Sequence, residues 1–145
     1  MKSLFWKFSA FAFATVIAGC SSSSGSSDSD SDGKDYDCSL DEDGVKVFAP
    51  EGGETFHLGD SVEVTFVAKY KNAGSFKVTL RTADGNVSLF DTSVGEEAPD
   101  GTHCTTVKAY LNPETVPVAD SAVVHVEAYN AARIRGDSEA FSIRE

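Results

Sequence analysis

Residues 62–70 read Val-Glu-Val-Thr-Phe-Val-Ala-Lys-Tyr, and no other stretch limits the fold as tightly. Val62, Val64, Phe66, Ala68 and Tyr70 hold alternate positions, with Glu63, Thr65 and Lys69 between them. Successive side chains of an extended chain point to opposite faces, so this alternation makes one apolar face and one polar face. Wound as a helix, the same residues would scatter their apolar groups around the whole circumference. Phe76, Val78 and Leu80 alternate with Lys77, Thr79 and Arg81 in the same way. Asn72-Ala73-Gly74 supplies a turn between the two runs, and Asp84-Gly85-Asn86 supplies the next, ahead of residues 87–90. Residues 45–49, 55–58, 105–111, 122–129 and 139–145 complete the set, and Asn112-Pro113 and Val116-Pro117 break the chain before the penultimate strand. No sustained helical spacing follows residue 19. Short strands punctuated by Gly, Asp, Asn and Pro turns predict an all-β fold, an antiparallel sandwich of seven or eight strands.

The first quarter of the chain departs from this pattern. Lys2 and Lys7 precede an apolar run over residues 8–18, which ends in small residues and Cys20. That is the layout of a secretory signal peptide. The run is shorter than the roughly 20 apolar residues a spanning helix needs, which weighs against a permanent membrane anchor helix. Ile17-Ala18-Gly19-Cys20 resembles the bacterial lipobox. The resemblance implies that residues 1–19 are removed, that Cys20 is acylated, and that lipid holds the protein on a membrane. Ser21, standing where Asp would signal inner-membrane retention, implies an outer-membrane or cell-surface location. No apolar residue occurs between Ser21 and Lys34, too little to offset the entropy of ordering. Residues 20–37 are therefore expected to be a lipidated, disordered Ser/Asp-rich tether, and residues 38–145 the folded domain.

With Cys20 assigned to lipid, Cys38 and Cys104 remain. An exported protein meets an oxidising compartment, so these two are expected to pair, the rival reading being two separate thiols. The chain-entropy model gives a loop of this size about 4 kcal/mol of stabilisation. The net charge of −11 argues against nucleic acid as a partner, because phosphate binding needs clustered Lys and Arg. It also argues against electrostatic docking on anionic lipid.

Several stretches of the later chain carry a family resemblance. Pro50-x-Gly52-Gly53-Glu54-Thr55-Phe56, followed by Gly59-Asp60-Ser61-Val62-x-Val64-Thr65-Phe66, resembles the opening of an immunoglobulin-like domain. That domain begins the fungal Ser/Thr-rich GPI-anchored cell-wall proteins and occurs in many bacterial surface proteins. Phe76-x-Val78-x-Leu80 with Asp84-Gly85, Val124-x-Val126-x-Ala128, and Ser138-Glu139-Ala140-Phe141-Ser142-Ile143 are similar to its later strands. The likeness covers roughly residues 45–145 and is weak over 92–107. Phe66 stands where the family often has Trp. The resemblance implies an immunoglobulin-like sandwich in a cell-wall or surface setting and carries over no catalytic residues. Because Cys38 precedes the first strand, its bridge is expected to pin the end of the tether onto the side of the fifth strand of that topology, the E strand.

Several motifs could carry chemistry. Asp28, Asp30, Asp32 and Gly33 match the opening of a calcium loop, making the three aspartates a weak candidate calcium site. Ser39 falls where the closing bidentate Glu is needed and Asp35 where an aliphatic residue would pack, so a self-repelling spacer is favoured, without resident metal or cofactor. His57, His103 and His125 lack the spacing of a zinc set. His125 falls on the strand face opposite Val124 and Val126 and is expected to be exposed. No nucleophile elbow or nucleophile–base pair appears, so no enzyme activity is expected. Arg135-Gly136-Asp137 spells an integrin-recognition tripeptide, but Gly-Asp is ordinary turn chemistry and a hairpin turn is expected there. Tyr129 shares a face with His125 and Glu127, next to the strand bearing Lys77 and Arg81, and an aromatic among polar groups can stack on a sugar. The leading expectation is a non-enzymatic, lipid-anchored module for adhesion or envelope interaction, meeting a membrane through lipid and a cell-envelope protein or polysaccharide. The alternative is a carbohydrate-binding module of a polysaccharide-handling envelope system, using Tyr129, His125, Lys77 and Arg81.

Overall fold

A computed structural model describes residues 34–90, 94–95 and 98–145. The signal-like stretch, Cys20 and the candidate calcium residues Asp28, Asp30 and Asp32 lie outside the described residues. The described chain is all strand and loop: β1 (Gly44–Ala49), β2 (Thr55–His57), β3 (Ser61–Lys69), β4 (Phe76–Thr82), β5 (Gly85–Ser88), β6 (Asp100–Tyr110), β7 (Ala119–Ala128), β8 (Ala131–Asp137) and β9 (Phe141–Arg144). One sheet has the order β1-β3-β6, and the other runs β2-β9-β7-β4-β5 with β8 also on β7. The two form the expected immunoglobulin-like sandwich. All pairings are antiparallel except β2 with β9, which is parallel.

The alternation places the core as expected. Val62, Val64, Phe66 and Ala68 of β3 face Phe76, Val78 and Leu80 of β4 and Val124, Val126 and Ala128 of β7, all buried. Phe66 meets Phe76 edge-on at 5.6 Å, and Phe56 meets Phe141 at 5.4 Å. Each such side chain contributes about 1.5–3 kcal/mol by leaving water. Because β3 and β4 sit in different sheets, the turn around Asn72-Ala73-Gly74 carries the chain from one sheet to the other. The next turn is centred one residue earlier than expected, since Thr82 pairs with Gly85 and leaves Ala83-Asp84 at the bend.

β8 is the element the turn chemistry concealed. Arg135-Gly136-Asp137 is not a turn but the end of this strand. Gly136 pairs with Val126 and lies so close to β1 that a Cβ there would sit 2.5 Å from the Val45 carbonyl oxygen. The glycine is required by that approach, not by a bend. β8 and β9 are two halves of one return strand along β7, interrupted at residues 138–140. Ser138 repairs the break: its N–H donates to the Val124 carbonyl at 2.8 Å, and its hydroxyl accepts the Val124 N–H at 3.0 Å. The hydroxyl also donates to the Glu139 carbonyl at 2.8 Å, and the Ala140 carbonyl accepts the Gly53 N–H at 2.9 Å, so these backbone groups of the break have partners.

Cys38 and Cys104 form a disulfide, with Cα atoms 5.2 Å apart. Cys104 lies in β6, opposite Val67 of β3, which places the bridge on the expected side. The segment before β1 continues over this outer face. Leu40 N–H donates to the Gly101 carbonyl, Lys69 Nζ to the Asp41 carbonyl, and the Tyr36 ring stacks on Phe48 at 5.0 Å. The folded part therefore takes in residues 34–37 as well as those from Cys38 onward. Gly101 has φ +78° and almost touches Leu40, a position only glycine fits without strain.

Candidate functional site

The outer face of the other sheet carries the polar residues singled out in the sequence. Across β4, β7 and β8, the pairing lays out two rows: Lys77, Glu127, Arg135, and then Thr79, His125, Asp137. Lys77 Nζ binds Glu127 Oε1 at 2.7 Å and sits 5.6 Å from the centre of the Tyr129 ring. His125 Nδ1 lies 2.6 Å from Asp137 Oδ1, and His125 Nε2 lies 3.5 Å from Glu127 Oε2. An ionised carboxylate only accepts, so the short contact assigns a proton to Nδ1. Arg81 Nη1 reaches Asp137 Oδ1 at 3.6 Å. To do so it must cross from β4 to β8 over β7, a span of about 9–10 Å between strands.

His125 lies inside this cluster. Its side does face away from Val124 and Val126, but it is 3% exposed, not a surface residue. Thr79 and Asp137 flank it across the sheet, Glu127 lies two residues on along its own strand, and the Arg81 guanidinium reaches the same Asp137 Oδ1 that its Nδ1 meets. Long polar neighbours have done what a packed layer does elsewhere. The Glu127 carboxyl is held below its usual range, first by the Lys77 hydrogen bond, with burial opposing and His125 assisting. Tyr129 remains 54% exposed, at the end of the rows.

The structure thus brings Lys77, Arg81, His125 and Tyr129 together on one face. It adds Asp137, Arg135 and Thr79, which sequence reasoning left out. The signal is present in Ile134 and Gly136 alternating with Arg133, Arg135 and Asp137, but Gly136-Asp137 also carries turn chemistry. The other histidines stay apart. His57 lies near Asp60 at 3.7 Å, and His103 lies near Asp100 at 3.6 Å. Among the described residues no His, Cys, Asp or Glu group is arranged to hold a metal. A separate open crevice of about 450 Å³ is lined by Val87, Leu89, Tyr110, Asn112, Thr115 and others, none of them a candidate site residue in the sequence.

No family model matches the chain, and no curated protein matches it. Among solved structures the chain is similar to fibronectin(III)-like modules of Clostridium thermocellum CbhA, at 20% identity and a TM-score of 0.37, over 69% of this chain and 94% of that one.

Proposed function

We propose that this chain is a non-catalytic, lipid-anchored envelope protein that displays its immunoglobulin-like domain at the end of an acidic tether. The observation that carries this reading is the use of the cysteines. The sandwich consumes Cys38 and Cys104 in a disulfide, which is characteristic of an oxidising compartment. Cys20 is left as the cysteine of the lipobox-like Ile17-Ala18-Gly19-Cys20. The bridge also lies where the Ser/Asp-rich stretch gives way to the domain, so the tether would end on a fixed point of the fold. The module acts by adhesion or envelope interaction, through binding and not through chemistry.

Cell fractionation tests the anchor. The parent chain is expected in the membrane fraction, labelled by fatty acid, and Cys20→Ala is expected to be unlabelled and released. A Cys20→Ala chain that stays with the membranes would overturn the reading.

A further inference from the structure

We propose that the outer face of β4, β7 and β8 is a binding strip for an uncharged, hydroxyl-rich polysaccharide, with the Tyr129 ring as its stacking platform. This deepens the display reading by naming what the displayed module holds. A sugar ring offers an apolar C–H face and a rim of hydroxyls, so its site needs an exposed aromatic surface beside fixed donors and acceptors. Tyr129 provides the first. Its backbone N–H is held by the Ser75 carbonyl at 2.9 Å, and Lys77 steadies the ring. The rows provide the second. Lys77 with Glu127 and Arg81 with Asp137 set a donor beside an acceptor at each level, already held in place by one another. Groups held in advance lose little further freedom on binding. Arg135 lies exposed opposite Glu127, and the Asn130 amide is anchored next to Tyr129 by the Asn72 carbonyl.

The size and character of the strip select the partner. From Tyr129 to His125 is four residues of extended chain, about 13 Å, which is longer than one sugar ring and suits a chain of them. A protein partner would require roughly 800 Å² per side around an apolar centre. Among the described residues Tyr129 is the one large hydrophobic group exposed here; Tyr110 and Val118 are in β6 and in the loop before β7. A polyanion is opposed by the chain's net charge of −11, which repels it before contact.

Native electrophoresis of the intact chain in detergent tests the proposal, through gels containing soluble glucan, mannan, xylan or polygalacturonate. Retardation is expected in at least one neutral polymer. Tyr129→Ala is expected to weaken it about tenfold, as loss of one stacking ring should. Tyr129→Phe, which keeps the ring, should retain most of it. Tyr110→Ala, removing an equally exposed ring in the other sheet, should leave it unchanged. Unaltered mobility in every neutral gel would overturn the proposal, as would retardation by polygalacturonate alone or retardation indifferent to Tyr129→Ala. A melting midpoint equal to the parent's separates loss of binding from loss of fold. The gels do not depend on Cys20 lipid, so their failure would leave the anchoring reading standing.

Discussion

The two sheets have outer faces built from the same alternating pattern, yet they are finished in different ways. On the sheet of β1, β3 and β6, the chain itself provides the cover: residues 34–43 cross the face, Cys38 is bonded to Cys104, and Val67 behind them is fully buried. On the sheet of β4, β7 and β8, no further segment is described over the rows. Long side chains pair with one another instead, and His125 is buried between the Asp137 and Glu127 carboxylates. A strand pattern fixes which way a side chain points. What then covers it depends on distant chain in one case and on neighbouring polar groups in the other.

Removing each kind of cover tests that contrast. Cys38→Ser with Cys104→Ser should cost the most, about 4 kcal/mol, read from the urea midpoint of the intact chain. A cost near zero would mean that residues 34–43 hold the first face without the bridge. His125→Ala comes next, at about 1–3 kcal/mol, because Asp137 and Glu127 lose a buried partner. His57→Ala and His103→Ala should stay within about 0.5 kcal/mol. Equal effects from all three would show that His125 is not covered at all. Lys77→Met should be the smallest, at most about 0.5 kcal/mol, since the lysine is partly exposed and screened. Its pH dependence is more informative than its size. Glu127 has a lowered folded pKa, so its pairing adds stability above the ordinary glutamate range and loses it as pH falls through the folded value. The Lys77→Met cost should therefore be present at neutral pH and vanish in acid, with the Glu127 carboxyl titrating higher in the variant by NMR.

Much of this was legible in the sequence because period two is a strong signal. Val62, Val64, Phe66, Phe76, Val78, Leu80, Val124 and Val126 were all placed in the core by alternation alone. The disulfide followed from cysteine arithmetic. Lys77, Arg81 and Tyr129 were placed near one another by topology. Asp137 was lost because Gly-Asp carries turn chemistry, while the real demand on Gly136 is a close approach by Val45, which no local pattern reveals. The burial of His125 was lost for a related reason. It comes with a polar cluster that joins Arg81, His125 and Asp137, the first and last 56 positions apart, and a one-dimensional alternation holds no information about that. The early start of β6, at Asp100, comes with its pairing to Lys69 and the close approach of Gly101 to Leu40, again contacts between distant parts of the chain.

The bridge between Cys38 and Cys104 also gives the polypeptide a topology. Residues 38–104, with β1 to β5 among them, form a covalent ring, and the chain before Cys38 and beyond Cys104 is linear. Tension arriving from the N-terminal side passes through the sulfur atoms from Cys38 directly into β6. The ring stays slack at its side, so five strands could remain folded under a pull that would otherwise peel β1 away first.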